Sequence, residues 1–309
     1  DAPAKVYNPA GMIYRYGKAV NSELMQKFGA YRARQSVDHE YINCSCHGSG
    51  RDLTRTLENL TTWEEVDHTQ PALSSAPHVW YPQTQFCYMR SGDYFLAAKG
   101  GHNGESHNHN DVGTFLLFYK NKPVFIDVGV GTYTLQTFSK ERYGIWTMLS
   151  DYHNLPKING VAQKNGRQYK AKNARFDAKT MTFSLDIAGA YDSAGVQQWN
   201  RSFTLPPNGT GLVIQDDFVL NEVRAGNQYH FMSVQKPDIS KAGVVSLSID
   251  GEKLQLQYDS QLFAAETESI ALTDKRLTNV WGSAVYRLRL KALKTQVKGK
   301  YRMAIKAVF

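Results

Sequence analysis

Apolar residues at Ile13, Tyr16, Val20, Leu24, Phe28 and Tyr31 recur at steps of three and four, which predicts one or two amphipathic helices near the start of the chain. Ser22 stands where a side-chain cap would open the second of them. After a loop holding Cys44 and Gly48-Ser49-Gly50, the spacing of Leu53, Leu57 and Leu60 predicts a further short helix. So small a helical group has little core of its own, and residues 1–75 read as the end of a larger helical domain cut off upstream.

From about Pro77 the period changes to two, with turn residues between short β-rich runs. Phe115–Tyr119, the turn Lys120-Asn121-Lys122 and Pro123–Asp127 read as a hairpin whose nearly continuous apolar strands belong in the middle of a sheet. Asp250-Gly251, between Val245–Ile249 and Leu254–Tyr258, is the strongest hairpin signal in the chain. Tyr301–Phe309 alternates to the last residue without a turn, as though the chain continued in a longer parent. No repeat of 20 to 50 residues occurs, which argues against solenoids and propellers. The expected fold is mainly β: a large two-sheet antiparallel sandwich over residues 76–309, preceded by the helical segment.

Composition narrows this picture little. With 309 residues, 42% of them hydrophobic, there is room for one large or two smaller cores. No apolar run approaches the roughly 20 residues that cross a membrane as a helix. The opening Asp1-Ala2-Pro3 lacks the pattern of a secretory leader, so export requires one that was removed or lay further upstream. A net charge of +8 and a pI near 9.2 favour acidic partners. Much of that charge is the solvent face of alternating strands such as Tyr286–Lys291. Without a basic run, finger spacing or aromatic nucleic-acid signature, nucleic acid ranks behind anionic polysaccharide. Three cysteines, Cys44, Cys46 and Cys87, are too few and odd in number for a disulfide framework. Cys44-Ser45-Cys46-His47 has no second ligand pair at finger-like spacing and reads better as a loop between helices.

Chemistry concentrates in Gly100-Gly101-His102-Asn103-Gly104-Glu105-Ser106-His107-Asn108-His109-Asn110-Asp111, just before a central strand. On an extended backbone His107 and His109 would point to one side and converge on one ion or substrate group. The plainer alternative is a polar loop hydrogen-bonded to itself. Further on stand Asp127, Tyr133 and His153, and a carboxylate with a third imidazole would complete a zinc-like set with His109. Folding the hairpin about Asn121 sets Asp127 opposite Phe115 and brings Tyr133 nearer His109, roughly 20 Å further along at strand rise. A bulge or bend near Gly113 or Gly129 is then required, and Asp111 competes as the carboxylate.

Gly104–Asp111, the strand pair ending in Asp127-Val-Gly-Val-Gly-Thr-Tyr133, and His153-Asn154 together resemble the C-terminal domain of the heparinase II/III family of polysaccharide lyases. The likeness is strongest over residues 86–163. Weaker echoes follow in Arg201-Ser202-Phe203, Ile214–Asp217 and Tyr229-His230-Phe231. The resemblance implies an exported bacterial lyase, periplasmic or secreted, with an α/α toroid followed by a multi-stranded antiparallel sandwich and a cleft between them. By the same likeness His109, Asp127 and His153 match zinc ligands, with the ion structural or supporting, while His107 and Tyr133 match substrate-facing catalytic residues. No toroid fits in residues 1–75, so the chain is expected to be a piece of such an enzyme, inactive alone.

The chemistry implied is β-elimination on a uronic-acid polysaccharide, heparan sulfate-like or alginate: the carboxylate is neutralised, a base takes the C5 proton and an acid protonates the departing oxygen. Two rivals are weaker. A cupin would need a Glu where Gly113 and Thr114 stand. A non-catalytic sugar-binding, metal-stabilised module would use Trp63, Trp80, Trp146 and Trp199 as platforms, whereas tryptophan in a sandwich is more often core.

Overall fold

The computed structural model describes residues 10–35, 53–73 and 75–308, so the loop with Cys44, Cys46, His47 and Gly48-Ser49-Gly50 lies outside the described residues. The chain divides into two compact units, one within Lys5–Ala76 and the other running from Pro77 to Phe309.

The first unit is helical, with α1 (Ala10–Ala19), α2 (Glu23–Arg34) and α3 (Leu53–His68). The apolar run from Ile13 to Tyr31 therefore makes two helices. They break at Asn21, whose φ is 53°, and the Ser22 hydroxyl accepts the Met25 N–H at 3.3 Å. The buried face differs from the expected one. Ala10, Tyr14, Ala30 and Val66 form the small core, and a Cβ on Gly29 would stand 2.8 Å from the Tyr14 nitrogen. Because the helices meet through Gly17, Gly29 and Ala30, their backbones approach closely, and Tyr16, Val20 and Leu24 are left exposed. Leu53, Leu57 and Leu60 of α3 are exposed too.

In the second unit the strands are β1 (His78–Tyr81), β2 (Phe86–Ser91), β3 (Tyr94–Lys99), β4 (His102–Asn103), β5 (Phe115–Tyr119), β6 (Lys122–Phe125), β7 (Pro156–Lys157), β8 (Gly166–Lys170), β9 (Lys172–Asp177) and β10 (Thr182–Asp186). They continue as β11 (Val196–Thr204), β12 (Leu212–Leu220), β13 (Gln228–Ser233), β14 (Asp238–Lys241), β15 (Val244–Ile249), β16 (Glu252–Gln257), β17 (Phe263–Ala271), β18 (Ala284–Ala292) and β19 (Lys298–Val308), with a short helix α4 (Lys275–Trp281) before β18. Eight strands form one antiparallel sheet in the order β14-β15-β16-β19-β12-β11-β10-β9. Five form a second, β1-β2-β3-β5-β6, four form a third, β17-β18-β13-β7, and β4 pairs with β8.

Period-two patterning explains which face packs. Leu212, Ile214, Phe218 and Leu220 of β12 are buried with half-buried Val213, Gln215, Asp217 and Val219 between them, and Tyr301, Met303 and Ile305 of β19 are buried while Arg302 and Lys306 face outward, the small Ala304 alone breaking the alternation there. These side chains share one large core with Met89, Leu96, Phe115, Leu117 and Phe231 of the other sheets, and the rings of Phe115 and Phe203 meet across it at 5.4 Å. The fold is thus a large antiparallel sandwich, but one of its layers is split. The five- and four-stranded sheets join at a single backbone hydrogen bond, Ile126 N–H to Met232 C=O at 2.9 Å. The candidate site lies at that split.

Candidate metal centre and cleft

The loop between β4 and β5 is held from several sides. The Asn103 amide accepts the Asp111 N–H at 3.1 Å and donates to Gln163 Oε1 at 2.9 Å. Gln163 in turn accepts the Val112 N–H at 3.0 Å and donates to the Val112 carbonyl at 2.8 Å. Tyr143 donates to Asn108 Oδ1 at 2.8 Å, and the Asn110 N–H reaches the Met148 carbonyl at 2.9 Å. The loop is therefore the hydrogen-bonded polar loop of the plainer reading, and that bonding is what aims its histidines.

Asp127 arrives by the hairpin. Lys120 and Asn121 form the two-residue turn with φ of 48° and 62°, and Tyr119 pairs with Lys122. A register shift between Leu117 and Phe118 bends the pair, after which Leu117 faces Phe125. Beyond Ile126 the chain turns, and Asp127 Oδ1 accepts the Gly129 N–H at 2.7 Å. Gly113 and Gly129, the two alternative places expected for a bend, have φ of 86° and 81°, a region that glycine enters without steric cost.

These paths bring His109, Asp127 and His153 together, with one ligand atom from each lying within 4.8 Å of the others. His153 Nδ1 is 3.3 Å from Asp127 Oδ2, His109 Nδ1 is 3.9 Å from Asp127 Oδ1, and the two imidazole centroids are 5.2 Å apart. Asp111 does not join them. Its carboxylate pairs with the buried Lys99 ammonium at 2.8 Å, which leaves Asp127 as the carboxylate beside the two imidazoles.

Burial pushes the His109 imidazole down to about 4, outweighing the attraction of Asp127. For His153 burial acts the same way, yet the adjacent Asp127 carboxylate prevails and the net shift is upward. Asp127 meets a burial penalty of its own, but the two imidazoles hold its carboxyl well below the usual range.

The donor set fits a small divalent ion. Two imidazole nitrogens and a carboxylate oxygen are a tetrahedral zinc set with one position left, and bonds of about 2.0–2.1 Å put ligand atoms roughly 3.3 Å apart. Both ring nitrogens of His153 are also buried without a well-formed hydrogen bond. An unmet buried polar atom costs about 1–3 kcal/mol, and a metal bond removes that cost for one of them.

Beside the three residues opens a cleft of about 440 Å³, lined by Lys99, Glu105, His107, His109 and Asp127 on its polar side and by Phe86, Tyr88 and Trp281 among its apolar walls. His107 sits in a turn with φ of 56°, so it and His109 do not lie on one extended face as expected. The bend separates them: His109 is buried, while His107 is exposed and lines the cleft. Tyr133 is not among the lining residues. Its ring lies 5.4 Å from Phe138 and 5.1 Å below the Arg276 guanidinium, at the edge of a segment tied down by the Thr132 N–H to Asp274 bond at 2.8 Å. Sequence reasoning passed over Lys99, Gln163 and Trp281. Lys99 and Gln163 each look like one more polar strand or loop residue, and Trp281 belongs to a helix more than 150 positions from its partner Val128, whose carbonyl its indole N–H reaches at 2.9 Å.

The profile of the Heparinase II/III-like C-terminal family matches residues 74–305. The chain belongs to the heparinase II/III-like family. Among solved structures it is similar to the heparan sulfate lyase HepC from Pedobacter heparinus, with TM-score 0.60, 14% identity, and 98% of this chain covering 53% of that one. It is similar also to two heparinase III structures. For one the TM-score is 0.60 at 16% identity, covering 98% of this chain and 53% of that one; for the other they are 0.59 and 13%, covering 97% and 52%. At such identities the likeness is one of fold, and this chain spans about half the length of the lyases it resembles. No curated protein matches it in sequence. Three of the four tryptophans agree with a packed sandwich rather than a sugar platform: Trp199 is fully buried, Trp80 packs on the Phe183 ring at 5.3 Å, and Trp146 lies edge-on to Tyr152 at 5.0 Å, whereas Trp63 is exposed on α3, outside the sandwich. Among the described residues no helix is long and apolar enough to cross a membrane.

Proposed function

We propose that this chain is the β-sandwich part, with the adjoining end of the helical domain, of an exported bacterial polysaccharide lyase that cleaves a uronic-acid polymer, heparan sulfate-like or alginate, by β-elimination. The observation that carries the reading is one cleft in which an exposed imidazole, His107, stands beside the buried His109 and His153 and the half-buried Asp127. In the reaction the C5–H bond breaks and its proton passes to a base. The electron pair forms the C4–C5 double bond, the bond from C4 to the bridging oxygen breaks, and that oxygen takes a proton.

His107 is assigned to contact with the uronate carboxylate or to removal of the C5 proton, since imidazole both donates and accepts near neutral pH. Tyr133 is assigned to positioning the sugar or to proton transfer, with Arg276 against its ring, and the helical domain supplies the principal tyrosine. His109, Asp127 and His153 would hold zinc, whose positive charge when bound fixes the three segments and stabilises negative charge nearby. The positive net charge suits an acidic polymer. Outside the cell, periplasmic or secreted, is where such polymers are met.

An ultraviolet assay for the unsaturated product, run on the full-length parent and on this chain against several uronate polymers, tests the reading. Product from the parent and none from this chain is expected. His107→Ala in the parent should lower turnover by about 10²-fold or more with folding intact, and unchanged turnover would remove His107 from the mechanism. A parent that binds these polymers without releasing unsaturated product would instead make the chain a sugar-binding module.

A further inference from the structure

Asn154, the residue after His153, is buried, and every polar atom of its side chain is bonded. Its amide donates to the Phe115 carbonyl at 2.6 Å and to the Ile126 carbonyl at 3.1 Å, and its Oδ1 accepts the Met232 N–H at 2.8 Å. The Asn154 backbone carbonyl accepts from Arg201 Nη1 at 3.2 Å, and the same guanidinium nitrogen donates to the Gly113 carbonyl at 3.0 Å. One side chain thus closes the split between the five- and four-stranded sheets. It also ties together the three segments that carry the candidate ligands: residue 126 precedes Asp127, residue 154 follows His153, and residues 113 to 115 end the loop that carries His109.

We infer that Asn154 is a positioning residue which sets His109, Asp127 and His153 in place before any ion arrives, an inference that rests on reading those three as a metal centre. Few side chains could replace it. Two carbonyls and one N–H must be met from a single planar group, so two donors and one acceptor are needed at this reach. Aspartate offers only acceptors to the two carbonyls, leucine offers nothing, and glutamine is longer by a methylene. The bond to Ile126 acts one residue from Asp127. Its loss frees the chain where the layer is already joined by only one backbone hydrogen bond, Ile126 to Met232.

The test uses the whole 309-residue chain, with Co²⁺ as a spectroscopic probe and Zn²⁺ in competition. Asn154→Asp and Asn154→Ser that retain the β circular dichroism signal should bind Co²⁺ about 10- to 100-fold more weakly, as for groups that orient metal ligands, with an altered visible ligand-field band. A variant that is merely less stable would keep both affinity and band once folded. A folded variant with wild-type affinity and an unchanged band overturns the inference. Should neither variant fold, hydrogen exchange on the metal-free wild type decides. The Met232 amide, whose acceptor is Asn154, should be protected to within tenfold of the Phe231 amide in the β13–β18 ladder. Fast exchange at Met232 that only Zn²⁺ slows would show that the ion builds the arrangement, and would overturn it. His109→Ala is the control: if it leaves wild-type Co²⁺ binding unchanged, the metal-centre reading itself fails, whereas normal wild-type binding with indifferent Asn154 variants removes only the inference.

Discussion

Replacing Arg201 with methionine removes the central charge of the sandwich. The guanidinium is fully buried and donates to Asp216 from Nε at 3.0 Å and from Nη2 at 3.2 Å, besides the Gly113 and Asn154 carbonyls. Removing one partner of such a pair costs about 3–5 kcal/mol, because the other charge stays buried. Two carbonyls that lose a donor would add about 1–3 kcal/mol each if nothing relaxed. Tyr229 continues to donate to Asp216 at 2.5 Å and methionine fills most of the vacated volume. The expected loss is therefore roughly 5 kcal/mol, the low end of that sum. Urea unfolding of the metal-free chain, followed by the fluorescence of buried tryptophan and by circular dichroism together, measures it, provided the two probes coincide. Arg201→Met/Asp216→Leu should recover at least half of the loss, since apolar groups of similar volume often replace a buried ion pair at little cost. A single-variant loss under about 1 kcal/mol, or a double variant worse than the single, would refute this account.

Three other outcomes follow from buried groups. The Cys87 thiol is fully buried and burial pushes it up to about 12, so Cys87 should resist thiol reagents at pH 8 and become reactive on local exposure of β2, as peptide mapping of the labelled positions would show; rapid labelling at Cys87 in the native state would contradict this. Burial holds His230 down to about 4 despite Asp151 nearby. The unfolded chain then binds the extra proton between about pH 6.5 and 4, so stability falls on acidification across that window, by roughly 2 kcal/mol from pH 7 to pH 5 for this one group. His230→Gln should flatten the pH dependence of the urea midpoint by that amount, and an unchanged slope would mean that His230 titrates normally. Lys99→Met leaves Asp111 unpaired under the His109 loop and should destabilise the metal-free chain by about 3 kcal/mol, a loss that urea unfolding would detect and whose absence would show Asp111 to be solvated.

What the sequence reveals and what it hides differ by range. Turns are local: Lys120-Asn121 and Asp250-Gly251 have the positive φ values their hairpins need, and both hairpins form where expected. A bend near Gly113 or Gly129 was legible from the hairpin's geometry, and both glycines have positive φ, but the register shift between Leu117 and Phe118 was not. Helix periodicity was legible as well, but its buried face was not, because Gly17 and Gly29 decide which sides of α1 and α2 can touch. Long-range order has no local signal. Nothing in Lys298–Val308 tells that β19 lies between β16 and β12 in the middle of the eight-stranded sheet. For the site, the residues that meet were legible as a set through the resemblance, whereas the choice of Asp127 over Asp111 depends on Lys99, twelve residues upstream of Asp111 and recognisable only once the strands are paired.

The outward-facing Tyr16, Val20, Leu24, Leu53, Leu57 and Leu60 carry a practical consequence for the bench. A purified sample presents these six apolar side chains to buffer, so particle size by light scattering should grow with concentration, more steeply once added salt screens the mutual repulsion of molecules bearing +8. Swapping those six for glutamate or lysine would give a better-behaved reagent without touching the sandwich.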